Sequence, residues 1–202
     1  FKVPLAVMGF DSGLLQDATH PGWEYRPEFG EFQSDHKVVN PTSWLADSIV
    51  WYSQELTRKL GMSKFQSYLK ALHYGNQDTK GGLTQCWLCD SLQISVQQQV
   101  EFLRQLAQDR LSVSPKAQQL TRSLLPRFKS TDGWDIQGKT GSGWLLGNDG
   151  HTDKSRPQGW FVGLGQRDRR RVAFAYLEVH DKAISGYAGP LARQNLLQSF
   201  LD

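Results

Sequence analysis

Lys139-Thr140-Gly141, followed by Ser142 and Gly143, is a run of residues suited to holding a carboxylate. An ammonium and a hydroxyl side by side offer charge-assisted hydrogen bonds to such a group. Glycine lets the backbone approach a ligand closely. The preceding Trp134-Asp-Ile-Gln-Gly-Lys-Thr alternates as a strand does, which places the triplet at a strand end. A strand edge there would present backbone groups to an extended, peptide-like substrate. The bland alternative is an ordinary strand end.

Three further groups carry chemical potential. Ser48-Ile49-Val50 opens a strongly amphipathic stretch, where a serine either caps a helix or offers a hydroxyl for proton transfer. Tyr74-Gly75-Asn76 has the composition of a tight turn, and Trp87-Leu88 follows after a polar, glycine-bearing loop over 77–85. A buried tryptophan needs a partner for its indole N–H. Phe1-Lys2 precedes an apolar run, Val3-Pro4-Leu5-Ala6, which makes Lys2 more than a solvated charge at a chain end.

Several arrangements are set aside. Ser67-Tyr-Leu-Lys70 pairs a serine with a lysine at helical spacing, but it lies after Ser48 and on an amphipathic helix with no apolar pocket. Cys86 and Cys89 form a Cys-x-x-Cys, yet the flanking pattern is helical on both sides, which favours two small buried side chains over a redox pair. His20, His36, His73, His151 and His180 are scattered, with no carboxylate cluster at ligand spacing, so no metal site is expected.

The elements that position these residues follow from periodicity. Phe1–Phe10 reads as a helix ended by the Asp11–Gly13 turn, with Pro4 tolerable only near its start. Residues 14–40 lack periodicity and read as a long surface excursion. From Pro41 the spacing of Trp44, Leu45, Ile49, Tyr52, Leu56 and Leu60 is helical until Gly61. Ser63-Lys-Phe-Gln66 and Ser95-Val-Gln-Gln98 have the capping-box form, and Ser114-Pro115 is a third start signal. Gly159–Gly165 and Val172–Val179 read as strands joined by a charged turn at Asp168–Arg171, and Pro190–Leu201 as a closing helix. The expected class is α+β: a mostly antiparallel sheet with a C-terminal helix packed on it, plus a helical subdomain. Residues 1–202 read as a single domain whose N-terminal portion lies outside this sequence.

With 23 basic and 20 acidic residues the net charge is +3, too balanced for a nucleic-acid footprint. No apolar run reaches membrane-spanning length. The 39% of hydrophobic residues suffices for a core.

Taken in order, these motifs resemble those of the class D serine β-lactamases along nearly the whole chain. Lys-Thr-Gly is a signature of penicillin-recognising serine enzymes. Ser48-Ile-Val50, with valine where other classes have asparagine, points to class D. So does Tyr74-Gly-Asn76 with Trp87-Leu88 downstream. Phe1-Lys2 matches the tail of the family's Ser-x-x-Lys, Gly159-Trp-Phe-Val-Gly163 the next strand, and Arg193 in Gly-Pro-Leu-Ala-Arg the family's arginine. The resemblance implies a β-lactam substrate, hydrolysed through a serine acyl-enzyme, and antibiotic resistance as the outcome. The nucleophile would precede Phe1 by two residues. Lys2, made neutral by apolar surroundings, would take up CO2 as a carbamate and serve as general base, with no other cofactor. Ser48 would relay a proton, and Val50 and Trp87 would wall and anchor the carbamate. Lys139, Thr140 and Arg193 would hold the substrate carboxylate, Gly141 would permit its approach, and the Ser142 N–H would join the oxyanion hole. It further implies a periplasmic monomer or homodimer, exported by a signal peptide outside this sequence. A β-lactam sensor or penicillin-binding domain that acylates without fast release shares these motifs, and a non-catalytic fragment without the nucleophile is the other alternative. The departures are the serine, the two cysteines flanking Trp87-Leu88, and the 14–40 segment.

Overall fold

The computed structural model describes residues 1–29, 37–88, 90–147, 149–198 and 200. Helix α1 (Lys2–Asp11) is the centre of the helical part: Val3 through Phe10 are all buried. A helix apolar on every side belongs inside a protein, and α1 packs against α3 (Val50–Leu60) and α6 (Pro115–Leu124). Pro4 falls in its first turn, where no intrahelical N–H is missed.

Among its described residues, the 14–40 segment contains two short strands, β1 (Trp23–Glu24) and β2 (Val38–Val39), paired antiparallel, and a 3-10 turn over Pro27–Phe29. The stretch read as one helix from Pro41 to Leu60 is two. Helix α2 (Pro41–Asp47) starts from Asn40, whose side chain and that of Ser43 complete a reciprocal capping box. It ends at Ser48, which is left-handed at φ 63°, and α3 begins at Val50. The Trp44 indole donates to Ser53 Oγ at 2.8 Å and locks the corner.

Helix α4 (Met62–Ala71) starts from Gly61 with no side-chain cap. The expected box at Ser63 and Gln66 is therefore absent, and Gln66 Nε2 instead donates to Thr79 Oγ1 in the following loop. The other two start signals hold: α5 (Val96–Ala107) has both capping-box bonds of Ser95 and Gln98, and Ser114 caps α6 with Pro115 at its first position.

The sheet has the order β3-β4-β5-β6, antiparallel throughout: β3 (Arg127–Lys129), β4 (Asp135–Leu146), β5 (Thr152–Arg167) and β6 (Arg170–Val179). Helix α7 (Ala188–Gln198) covers one face and α5 the other. The period-two alternation of a strand sorts β6 accordingly: Val172 and Phe174 pack with Trp134, Ile136, Phe161 and Phe200 under α7, while Ala173 and Ala175 join the core around α1. This is the expected α+β architecture. Strand β4 is longer than its sequence suggests, so Lys139-Thr140-Gly141 lies in mid-strand and not at its end.

Candidate active site

Strand β3 covers β4 only from Asp135 to Gln137. Beyond it the outer edge of β4 has no neighbouring strand among the described residues, and the site is built there. The Gly138 N–H points outward, donating to Pro126 O at 2.9 Å. In an antiparallel strand, alternate residues direct their N–H and C=O to the same side. The amides of Thr140 and Ser142 therefore also face the open edge. Gly138 is needed as glycine, because a Cβ there would lie 2.7 Å from the Phe161 ring and 2.9 Å from Val162 O.

A cavity of about 490 Å³ opens on this edge. Lys2, Trp87, Lys139, Thr140, Gly141 and Ser142 line it, so six of the nine expected site residues meet in one place. A second cavity of about 370 Å³ adjoins it, sharing Phe1, Lys2, Trp87, Ser142 and Trp144 and adding the apolar side chains of Leu5, Val50 and Leu88.

Ser48 lines neither cavity directly but is held to the site by Lys139, whose Nζ donates to Ser48 Oγ and also lies 3.3 Å from Thr140 O. The left-handed turn at Ser48 makes this contact, since it breaks the helix where the hydroxyl meets the strand. A non-glycine residue adopts that backbone at a cost of roughly 1–2 kcal/mol. Lys139 is itself buried, and burial, reinforced by the nearby Arg193 charge, lowers its pKa to about 8.

Arg193 stands apart. Helix α7 begins at Ala188, which carries Arg193 into its second turn, where the guanidinium lies 4.8 Å over the Phe128 ring. It is not among the residues lining either cavity, and it reaches the site through its field on Lys139.

Trp87 is placed by the loop that follows Tyr74-Gly75-Asn76. Asn76 joins the two ends of that loop: its Nδ2 donates to Ser91 O at 2.8 Å, and its Oδ1 accepts from Gln93 N–H at 2.9 Å. Gly75 has φ 57°, and a Cβ on it would come within 2.0 Å of Gln93 O. The Tyr74 hydroxyl donates to buried Gln99 Oε1 at 2.8 Å. Trp87 stacks on Phe1 at 5.7 Å, and Phe1 packs edge-on against Phe65 and Tyr74. The indole N–H of Trp87 donates to Leu83 O at 3.2 Å, a partner that the resemblance does not include.

Cys86 is buried, and burial raises its thiol to about 11, which suits the inert role over the redox one. Cys89 lies outside the described residues. The rejected pair behaves as a surface feature: both residues are exposed, Ser67 donates to Ser63 O within α4, and neither lines either of the two cavities described above. Sequence reasoning missed Trp144, Thr152 and Lys154, which enter the lining because β4 and β5 run further than expected. The glycines of Gly141-Ser-Gly143 hid that extension.

This scaffold and site define a domain of the penicillin-recognising kind, and comparison with known proteins bears that out. The penicillin-binding-protein transpeptidase domain matches residues 1–201. The chain is 44% identical over 205 residues to β-lactamase OXA-9 of Klebsiella pneumoniae, covering 98% of this chain and 75% of that protein. It is 35% identical over 171 residues to β-lactamase OXA-1 of Escherichia coli, covering 81% of this chain and 59% of that protein. Among solved structures, the class D β-lactamase OXA-427 superposes with a TM-score of 0.89 at 38% identity, over 97% of this chain and 83% of that one. The chain belongs to the class D serine β-lactamases and is an enzyme of that class.

Proposed function

We propose that this protein hydrolyses β-lactam antibiotics through a serine acyl-enzyme, with carbamylated Lys2 as general base, and so confers resistance. The observation that carries this reading is the convergence of Lys2, Trp87, Lys139, Thr140 and Ser142 on one cavity at the open edge of β4. By the family resemblance, the nucleophile would be a serine two residues before Phe1, one helical turn from Lys2. The Ser142 N–H, directed to the open edge, supplies half of an oxyanion hole for the lactam carbonyl, where preorganised donors act most strongly. Lys139 and Thr140 take the substrate carboxylate, and Gly141 lets it approach. Arg193 contributes through the charge it shares with this corner rather than by contact. Because Lys139 donates to Ser48 Oγ, the Ser48 hydroxyl proton is left to pass to the departing lactam nitrogen.

A carbamate on Lys2 would supply the base that activates the serine and then the deacylating water. Leu5, Val50, Trp87 and Leu88 form the apolar wall of the cavity that Lys2 lines. The Trp87 N–H bond to Leu83 O is long for an N–H···O contact, and a charged acceptor competes for that proton with a bond roughly twice as strong. Export to the periplasm, where these drugs act on cell-wall enzymes, fits the same reading. Among the described residues no helix is long and apolar enough to cross a membrane.

The test is intact mass of the full-length protein before and after brief exposure to a penicillin, with bicarbonate present. Loss of the drug with return to the starting mass supports turnover. A persistent adduct makes the protein a sensor or penicillin-binding domain, and an untouched drug overturns acylation altogether.

A further inference from the structure

Ser142 stands between Gly141 and Gly143, on a stretch of β4 that β5 alone pairs with among the described residues, with Ser142 opposite Gly159. Glycine leaves the backbone free to rotate, so the flanking residues do little to fix the Ser142 peptide. The first turn of α7 holds it instead. The Gly189 N–H donates to Ser142 Oγ at 2.9 Å. That amide is one of those a helix leaves without an internal partner at its N-terminus. Tyr187, which precedes α7, has no short side-chain oxygen to cap it. Ser142 supplies the acceptor from another element. The fit is close because side chains are missing where the two meet. A Cβ on Gly189 would lie 2.6 Å from Gly141 O and 2.9 Å from Ser142 Oγ, and one on Gly159 would lie 2.2 Å from Ala188 O. The start of α7 thus rests backbone to backbone on the Ser142–Gly159 pair. The helix also has an anchor that does not involve Ser142: Asn195 Nδ2 donates to both carboxylate oxygens of Glu178 on β6, at 3.1 and 2.9 Å.

We propose that Gly189 is a positioning residue for the reaction: its N–H, held by Ser142 Oγ, fixes the direction of the Ser142 N–H that receives the lactam oxygen. This rests on the β-lactamase reading. The bond fixes the Cα–Cβ direction of Ser142 and with it the tilt of the adjoining peptide plane. The amide then faces the cavity before substrate arrives. A donor held in place stabilises a developing oxyanion without reorganising during the reaction. Substrate binding before the chemistry depends on the carboxylate contacts of Lys139 and Thr140, which this bond does not touch.

The test uses the full-length protein and measures, for one penicillin, the acylation rate at saturation and the Kd of the complex formed before acylation. A boronic acid, whose tetrahedral serine adduct mimics the intermediate, reports on the oxyanion hole directly. Ser142→Ala should slow acylation and weaken the boronic acid by the same factor, about tenfold, less than the roughly 100-fold or more for losing an oxyanion donor outright. The penicillin Kd should not move. Ser142→Thr, which keeps the acceptor oxygen, should restore both quantities. Gly189→Ala, which leaves Ser142 in the chain but displaces the bond, should give the same pattern. Circular dichroism and Tm report that the variants are folded. An unchanged acylation rate in either alanine variant, even with a lower Tm, makes the bond a helix cap and overturns the proposal, as does a loss confined to Kd. If the unaltered protein forms no acyl-enzyme, the β-lactamase reading fails and takes this inference with it.

Discussion

The ammonium of Lys139 donates to the hydroxyl of Ser48 across 91 residues of chain, and that bond joins strand β4 to the corner between α2 and α3. Under the proposed function it couples a substrate-binding cation to a proton relay. Ser48→Ala removes the relay and also strips a buried ammonium of an acceptor. We expect acylation by a penicillin to slow about 100-fold, the lower range for a lost general acid. Lys139→Ala should slow it comparably, and the double variant should lose far less than the product, since the two act as a unit. Stopped-flow acylation rates for the four proteins check this.

Lys139 makes the pH dependence specific. Its pKa of about 8 lies below the ordinary lysine value of 10.5, first through burial and then through Arg193. As pH rises through 8 the free enzyme loses the cation we propose meets the substrate carboxylate, so kcat/KM should fall on an alkaline limb near that value. Lys139→Arg, whose guanidinium stays charged, should move the limb out of range. The sign for stability is opposite. A buried lysine with a depressed pKa carries its burial cost, on the order of 3 kcal/mol, below about 8. Stability from this group should therefore rise between about 8 and 10.5. Denaturant titrations across that window measure it.

Trp87 tests the carbamate. If its N–H exchanges Leu83 O for a charged group on Lys2, Trp87→Phe should raise the bicarbonate concentration needed for half-maximal activity roughly tenfold, the worth of one charge-assisted hydrogen bond. An unchanged bicarbonate curve would leave the indole N–H on Leu83.

Much of this was legible from residue types, because local rules and tertiary context agree there. Ser95 and Gln98 cap α5 as their spacing requires, and Ser114-Pro115 opens α6. Motif order and the family resemblance named nine candidate residues, and six of them line one cavity. The misses have physical causes. The apolar rhythm of Trp44, Leu45, Ile49 and Tyr52 runs unbroken across Ser48, so nothing local announces the left-handed residue that makes the site. Ser63 and Gln66 have the form of a cap, but α4 starts from Gly61, two residues too early for it. Gly141 and Gly143 look like a strand's end, whereas pairing with Gln158–Trp160 on β5 carries β4 onward. Arg193 matched a motif, yet the start of α7 points it at Phe128.

Asn76 and Gly75 offer a final test, because they hold Trp87 without touching it. Asn76 is exposed, so its hydrogen bonds to Ser91 O and from Gln93 N–H compete with water. Asn76→Ala should cost only about 1–2 kcal/mol of stability. Its larger effect should fall on the loop it closes, with faster limited proteolysis within residues 77–92 and a raised bicarbonate requirement like that of Trp87→Phe. Gly75→Ala should be worse, because its positive φ disfavours a side chain and a Cβ would meet Gln93 O. Were Asn76→Ala to lower stability without moving the bicarbonate curve, the loop would be a structural tie that leaves Trp87 in place.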